Sequence, residues 1–121
     1  SPWLDTAVLE LARKIVDAES LGTDGSPDLL AVALSATDIV GHLYGPFSGE
    51  SVDTLENLDE QLGSFLAWLD HRFGKGRVVV VLTADHGVAP LPEWNMANGH
   101  NECPVEPGRV DIYRFVLRQY W

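Results

Sequence analysis

A chain of 121 residues with 45% apolar content is long enough for one domain with a core and too short for two. Eight basic against eighteen acidic residues leave a net charge of −10, which excludes a nucleic-acid partner and favours bound cations. Cys103 is the only cysteine, so an internal disulfide and a cysteine-rich zinc site are excluded, and no apolar run reaches the roughly 20 residues of a membrane span.

Ser1-Pro2-Trp3-Leu4-Asp5 lacks the charged-then-apolar pattern of a signal peptide, so an exported parent would carry its signal outside this chain. Asp5 or Thr6 can cap a first helix, in which Val8, Leu11, Ala12, Ile15 and Val16 recur at helical spacing and which stops near Leu21-Gly22. Gly22, Gly25 and Pro27 then mark a turn. The apolar run from Leu29 to Leu34 is short and follows turn residues, which favours a buried strand over about 29–35. Ser35-Ala36-Thr37-Asp38-Ile39-Val40-Gly41-His42 closes it. Gly41 to Pro46, with two glycines and a proline, reads as a loop.

Glu50 to Phe73 predicts the longest helix, with a stripe of Val52, Leu55, Leu58, Leu62, Phe65, Leu66, Leu69 and Phe73 and with Glu56, Asp59, Glu60 and Gln61 turned to water. At about 1.5 Å per residue it spans roughly 35 Å. Gly76 and Arg77 open a second apolar run, Val78-Val79-Val80-Val81-Leu82-Thr83, predicting a strand over about 77–83 that ends in Asp85-His86-Gly87. Beyond it lie a short helix near 93–97 and a last element from Asp111 carrying Tyr113, Val116, Leu117 and Tyr120 as helix or strand.

Strand, helix about 51–73 and strand make a βαβ unit with a right-handed crossover and parallel strands. The expected fold class is therefore α/β, a parallel sheet with helices. Parallel strands would bring Asp38/His42 and Asp85/His86 to one edge of the sheet, where open α/β sheets keep their chemistry. Since two strands do not make an independent sheet, residues 1–121 are expected to form a single partial domain of a larger one.

Asp and His offer oxygen and nitrogen ligands suited to zinc or similar divalent ions, and Asp-x-x-x-His lets both side chains reach one ion. Taken alone, Asp38 and His42 equally suit a helix cap beside a satisfied histidine. Ser35, Thr37 and Thr83 have no accompanying base or oxyanion motif and read as strand-end residues, not nucleophiles. His100-Asn101-Glu102-Cys103 lacks a second ligand pair, and His71 suits the C-terminus of its helix.

Thr83-Ala84-Asp85-His86-Gly87 together with Thr37-Asp38-Ile39-Val40-Gly41-His42-Leu43-Tyr44-Gly45-Pro46 resembles the metal-binding core of the alkaline phosphatase superfamily. The resemblance is to the type I phosphodiesterase/nucleotide pyrophosphatase-like branch and related secreted bacterial alkaline phosphatases, and it runs from about Ser1 to Gly108. It implies a fragment of an α/β sandwich of alkaline phosphatase type. Asp38 and His42 would bind one of two zinc ions, and Asp85 and His86 the other, with a nucleophilic Thr or Ser, an early aspartate and a late histidine for which no motif is present here. The implied activity is hydrolysis of phosphate mono- or diesters, or similar oxyanions, by a periplasmic or secreted parent. The alternatives are a catalytically inactive metal-binding module and an acidic interaction domain with no metal affinity.

Overall fold

A computed structural model describes residues 3–100 of the chain. Its helices are α1 (Trp3–Ala18), α2 (Ala36–Tyr44), α3 (Gly49–Phe73) and α4 (Pro92–Ala97). Two compact units divide after Ala89. None of the described helices is long and apolar enough to cross a membrane.

α1 buries Asp5, Leu9, Ala12 and Val16, a spacing of four, three and four that keeps one face of the helix inward. α3 starts at Ser48, whose hydroxyl accepts the Ser51 N–H at 3.1 Å, and stops at Gly74, whose φ of 91° is the left-handed region that glycine enters without penalty. The core of the first unit lies between these helices: Leu9 and Ala12 meet Phe65 and Leu69, with Leu30, Leu34, Trp68, Phe73 and Val78 around them. At its edge the Arg13 guanidinium lies 5.8 and 5.4 Å from the ring centres of Phe65 and Trp68 and bonds the Ser64 hydroxyl.

The expected α/β class is not what the chain adopts. Among the described residues there is no strand and no sheet, and the segments 29–35 and 77–83 carry no ladder. A strand is defined by its partner, and the two segments do not exchange backbone hydrogen bonds. Their apolar side chains divide instead. Leu30, Leu34 and Val78 lean on the helical core, whereas Leu29, Val79 and Val81 are 92, 91 and 83% exposed. The βαβ unit and its parallel sheet edge therefore do not hold the site together.

Two helix boundaries also differ from expectation. The stretch read as loop from Gly41 is helical through Tyr44, where Gly45 takes a φ of 81° and returns its N–H to the Gly41 carbonyl at 2.9 Å. Along α3 the apolar stripe is buried only toward its C-terminal half. Val52 and Leu55 are exposed and Ser51 and Thr54 are buried in their place, while Gln61, expected in water, is half-buried. That end of α3 faces α2 through small polar residues: the Ser48 and Ser51 hydroxyls both donate to the Gly45 carbonyl, at 2.9 and 2.7 Å. In the second unit, Pro92 opens α4 as expected near 93–97, and the Trp94 ring stacks on His100 with centroids 6.1 Å apart. Cys103 and the element expected from Asp111 lie outside the described residues.

Candidate metal centre

α2 is a short helix with an unusual composition. Its first turn holds Asp38 and its last turn His42, an acid at the positive end and a base at the negative end of the helix dipole. Four residues apart on one helix, the two side chains share a face, and His42 Nε2 lies 3.2 Å from Asp38 Oδ1. The i, i+4 spacing thus acts through a helix and not across a turn.

His86 reaches the same carboxylate from the segment after Leu82, with its Nε2 3.7 Å from Asp38 Oδ1. What brings that segment so close is the absence of a side chain. A Cβ added to Gly41 would lie 2.9 Å from Cγ2 and 3.1 Å from Cγ1 of Val88, closer than carbon atoms tolerate. Gly41, between the two ligand-type residues of α2, therefore lets Val88 seat against the helix, and His86, two residues before it, falls over Asp38. Convergence of the two motifs comes from this helix–segment contact and not from a sheet edge.

Asp38, His42 and His86 each offer one nitrogen or oxygen atom, and these three atoms lie within 4.8 Å of one another. Two ligands about 2.1 Å from a common tetrahedral ion stand roughly 3.4 Å apart, so the 3.2 Å between His42 and Asp38 suits a shared divalent ion, with His86 3.7 Å from the same carboxylate. The fourth expected residue, Asp85, is more loosely placed: its Oδ2 is 3.7 Å from His86 Nε2, but its side chain is 90% exposed. All four belong to an open surface, accessible to a substrate.

The orientation of His86 is fixed by its own backbone. Nδ1 lies 2.8 Å from the Gly87 carbonyl, which can only accept, so Nδ1 carries a proton and the other ring nitrogen, Nε2, is the one turned toward Asp38. The same carbonyl raises the pKa of His86, with further help from the Asp85 carboxylate, against desolvation, and from Asp38. Metal-bound histidines commonly donate one ring N–H to a carbonyl in this way, which leaves the other nitrogen for the ion.

The remaining sequence candidates stay apart from this cluster. Thr37 Oγ1 is buried without a hydrogen-bond partner, and Thr83 Oγ1 donates to the Ala84 carbonyl, so neither hydroxyl is poised for attack. His71 is exposed in the last turn of α3. Sequence reasoning missed Gly41 as the contact that assembles the centre, reading it as turn punctuation; a glycine flanked by two ligand-type residues was the available signal.

Residues 2–114 match the model of the type I phosphodiesterase / nucleotide pyrophosphatase family. Alkaline phosphatase PhoV of Synechococcus elongatus is 46% identical over 91 residues, covering 75% of this chain and 16% of that protein. Alkaline phosphatase PafA of Elizabethkingia meningoseptica is 43% identical over 89 residues, covering 74% and 16%. Venom phosphodiesterase 2 of Crotalus adamanteus is 39% identical over 65 residues, covering 54% and 8%. The chain thus spans about a sixth of the length of the alkaline phosphatases it matches. No solved structure matches it.

Proposed function

The chain belongs to the type I phosphodiesterase / nucleotide pyrophosphatase family, and from that premise we propose that it is part of a metal-dependent hydrolase of phosphate mono- or diesters, to which it contributes ligands of a two-metal site. Asp38 and His42 hold one ion, Asp85 and His86 the adjacent one, and zinc suits this mixed oxygen and nitrogen donor set. The single observation that supports this reading most is the meeting of Asp38, His42 and His86 from two segments more than forty residues apart, at ligand–ligand separations.

A bound divalent ion would polarise the phosphoryl group and activate a hydroxyl nucleophile. The chain's own residues hold and orient. α2 presents Asp38 and His42 as one rigid face, and the Gly87 carbonyl aims His86 Nε2. The nucleophile is proposed to come from outside this chain, because the Thr37 hydroxyl is buried and that of Thr83 is turned to its own backbone. The remaining zinc ligands are proposed to come from there as well.

Zinc or cobalt titration of the purified chain tests the reading. Asp38→Ala, His42→Ala and His86→Ala should each weaken binding by about tenfold or more, whereas His71→Ala should leave it unchanged. Equal affinity in all four variants, or none in the wild type, overturns the assignment and favours an interaction module.

A further inference from the structure

Asp5 is 2% exposed, the one charged side chain buried among the described residues, and the metal chemistry makes no use of it. A carboxylate out of water needs compensation. Its Oδ1 accepts the N–H of Ala36 at 3.2 Å, across 31 residues of sequence. Ala36 is the first residue of α2 and is itself 1% exposed.

α2 has no cap of its own. Ser35 stands at the N-cap position with φ −104° and ψ −2°, a helical conformation, and its hydroxyl makes no capping bond. The first N–H groups of a helix lack intrahelical acceptors and carry its positive end. A carboxylate from α1 thus supplies what the local sequence omits, satisfying one of these donors and placing negative charge at the dipole's positive end. Two residues on stands Asp38, and one turn further His42.

We propose that Asp5 is a positioning residue for the candidate metal centre: a cap supplied from another helix that fixes the start, and so the rotation and register, of the helix bearing Asp38 and His42. Without it, a nine-residue helix containing Gly41 and the β-branched pair Ile39-Val40 has little intrinsic reason to begin at Ala36. The helix-anchoring role stands on the Asp5–Ala36 contact alone, while its consequence for metal binding rests on the proposed ligand role of Asp38 and His42.

Two readouts separate these. Amide hydrogen exchange of the metal-free chain should show α2 amides about fivefold or more faster in Asp5→Ala, the range that loss of a helix cap produces, with α3 amides unchanged. Zinc affinity should fall about tenfold in the same variant, and ring NMR signals of His42 should shift. Asp5→Asn keeps an acceptor oxygen and should stay within about twofold of wild type on both counts. Ser35→Asp in the Asp5→Ala background should restore α2 protection by rebuilding a cap locally, a rescue that a general packing role would not permit. Should Asp5→Ala fail to fold, Asp5→Asn decides: loss of α2 protection there overturns the cap. Unchanged α2 exchange in Asp5→Ala, or uniform acceleration in all helices without rescue, also overturns it. A wild-type chain that binds no zinc but shows the exchange pattern keeps the cap and removes only the metal function.

Discussion

At the scale of single residues, the Asp/His cluster depends on a missing methyl group as much as on the side chains that form it. Gly41→Ala removes a helix-interior glycine, worth up to about 1 kcal/mol in helix propensity, and forces a Cβ to within 2.9 Å of Val88, an overpacking cost of about 1–3 kcal/mol. The two nearly cancel, or leave a modest loss. Metal affinity should fall much more than stability, because relief comes from Val88 moving away and taking His86 with it. Zinc titration should show Gly41→Ala weaker by about tenfold and the Gly41→Ala/Val88→Ala pair restored toward wild type; an unchanged affinity in the single variant would refute the role of this contact. His86 supplies a pH signature as well. Its raised pKa means that the folded, metal-free chain favours the imidazolium, a preference present below the unfolded value and lost as pH rises through the folded one. Metal needs the neutral Nε2, so zinc affinity should climb with pH and level off only above the ordinary histidine value of about 6.5. An NMR titration of the His86 ring and zinc affinities at several pH values check both halves. The candidate ligands could be named from the sequence, since Asp-x-x-x-His and Asp-His-Gly are chemical patterns, and the structure brings Asp38, His42 and His86 together. Gly41 and Asp5 were not legible there, because each acts through a contact distant in sequence. Asp5 did leave a trace: it sits four residues before Leu9 on the apolar face of α1, where an unpaired acid has no place.

At the scale of elements, α3 was readable because period and punctuation agree: an apolar recurrence over about seven turns and a glycine after it. α2 was not, since two glycines, a β-branched pair and a proline just beyond it all argue against a helix locally; the tertiary contacts of Ala36 and Val40, both buried, override that preference. The runs at 29–35 and 77–83 misled for the opposite reason. β-branched composition reports suitability for burial, and burial requires neighbours that the described residues do not provide. How far periodicity can be trusted within α3 is itself testable. Phe65, 7% exposed, anchors the core, while Leu55 belongs to the same sequence stripe but is 52% exposed. Phe65→Ala should cost about 3 kcal/mol, enough to unfold a marginal chain, and Leu55→Ala less than about 0.5 kcal/mol. Urea melts of the two variants give the comparison; equal losses would place Leu55 in the core and refute the observed packing.

At the scale of the whole molecule, the small core of the described residues and the open Asp/His cluster lead to the same expectation about activity. The residues buried between α1 and α3 are few, and Leu29, Val79, Val81 and Leu82 present apolar surface to water, so the chain has limited means to hold a reacting phosphate ester in one geometry. Catalysis by metal requires a nucleophile aligned with the ion to within a fraction of an ångström. Of the hydroxyls near the cluster in sequence, those of Ser48 and Ser51 donate to Gly45, that of Thr83 donates to Ala84, and that of Thr37 is buried. Metal affinity and turnover should therefore separate. Loaded with zinc, the 121-residue chain should hydrolyse an aryl phosphate no faster than its Asp85→Ala variant, even where titration shows zinc bound. Removal of a nucleophile leaves only a small remainder of an enzyme's rate, and an exposed ion with solvent on most sides adds little beyond what the free ion achieves. Zinc-dependent turnover that Asp85→Ala abolishes would reverse this expectation and locate a complete active site within these residues.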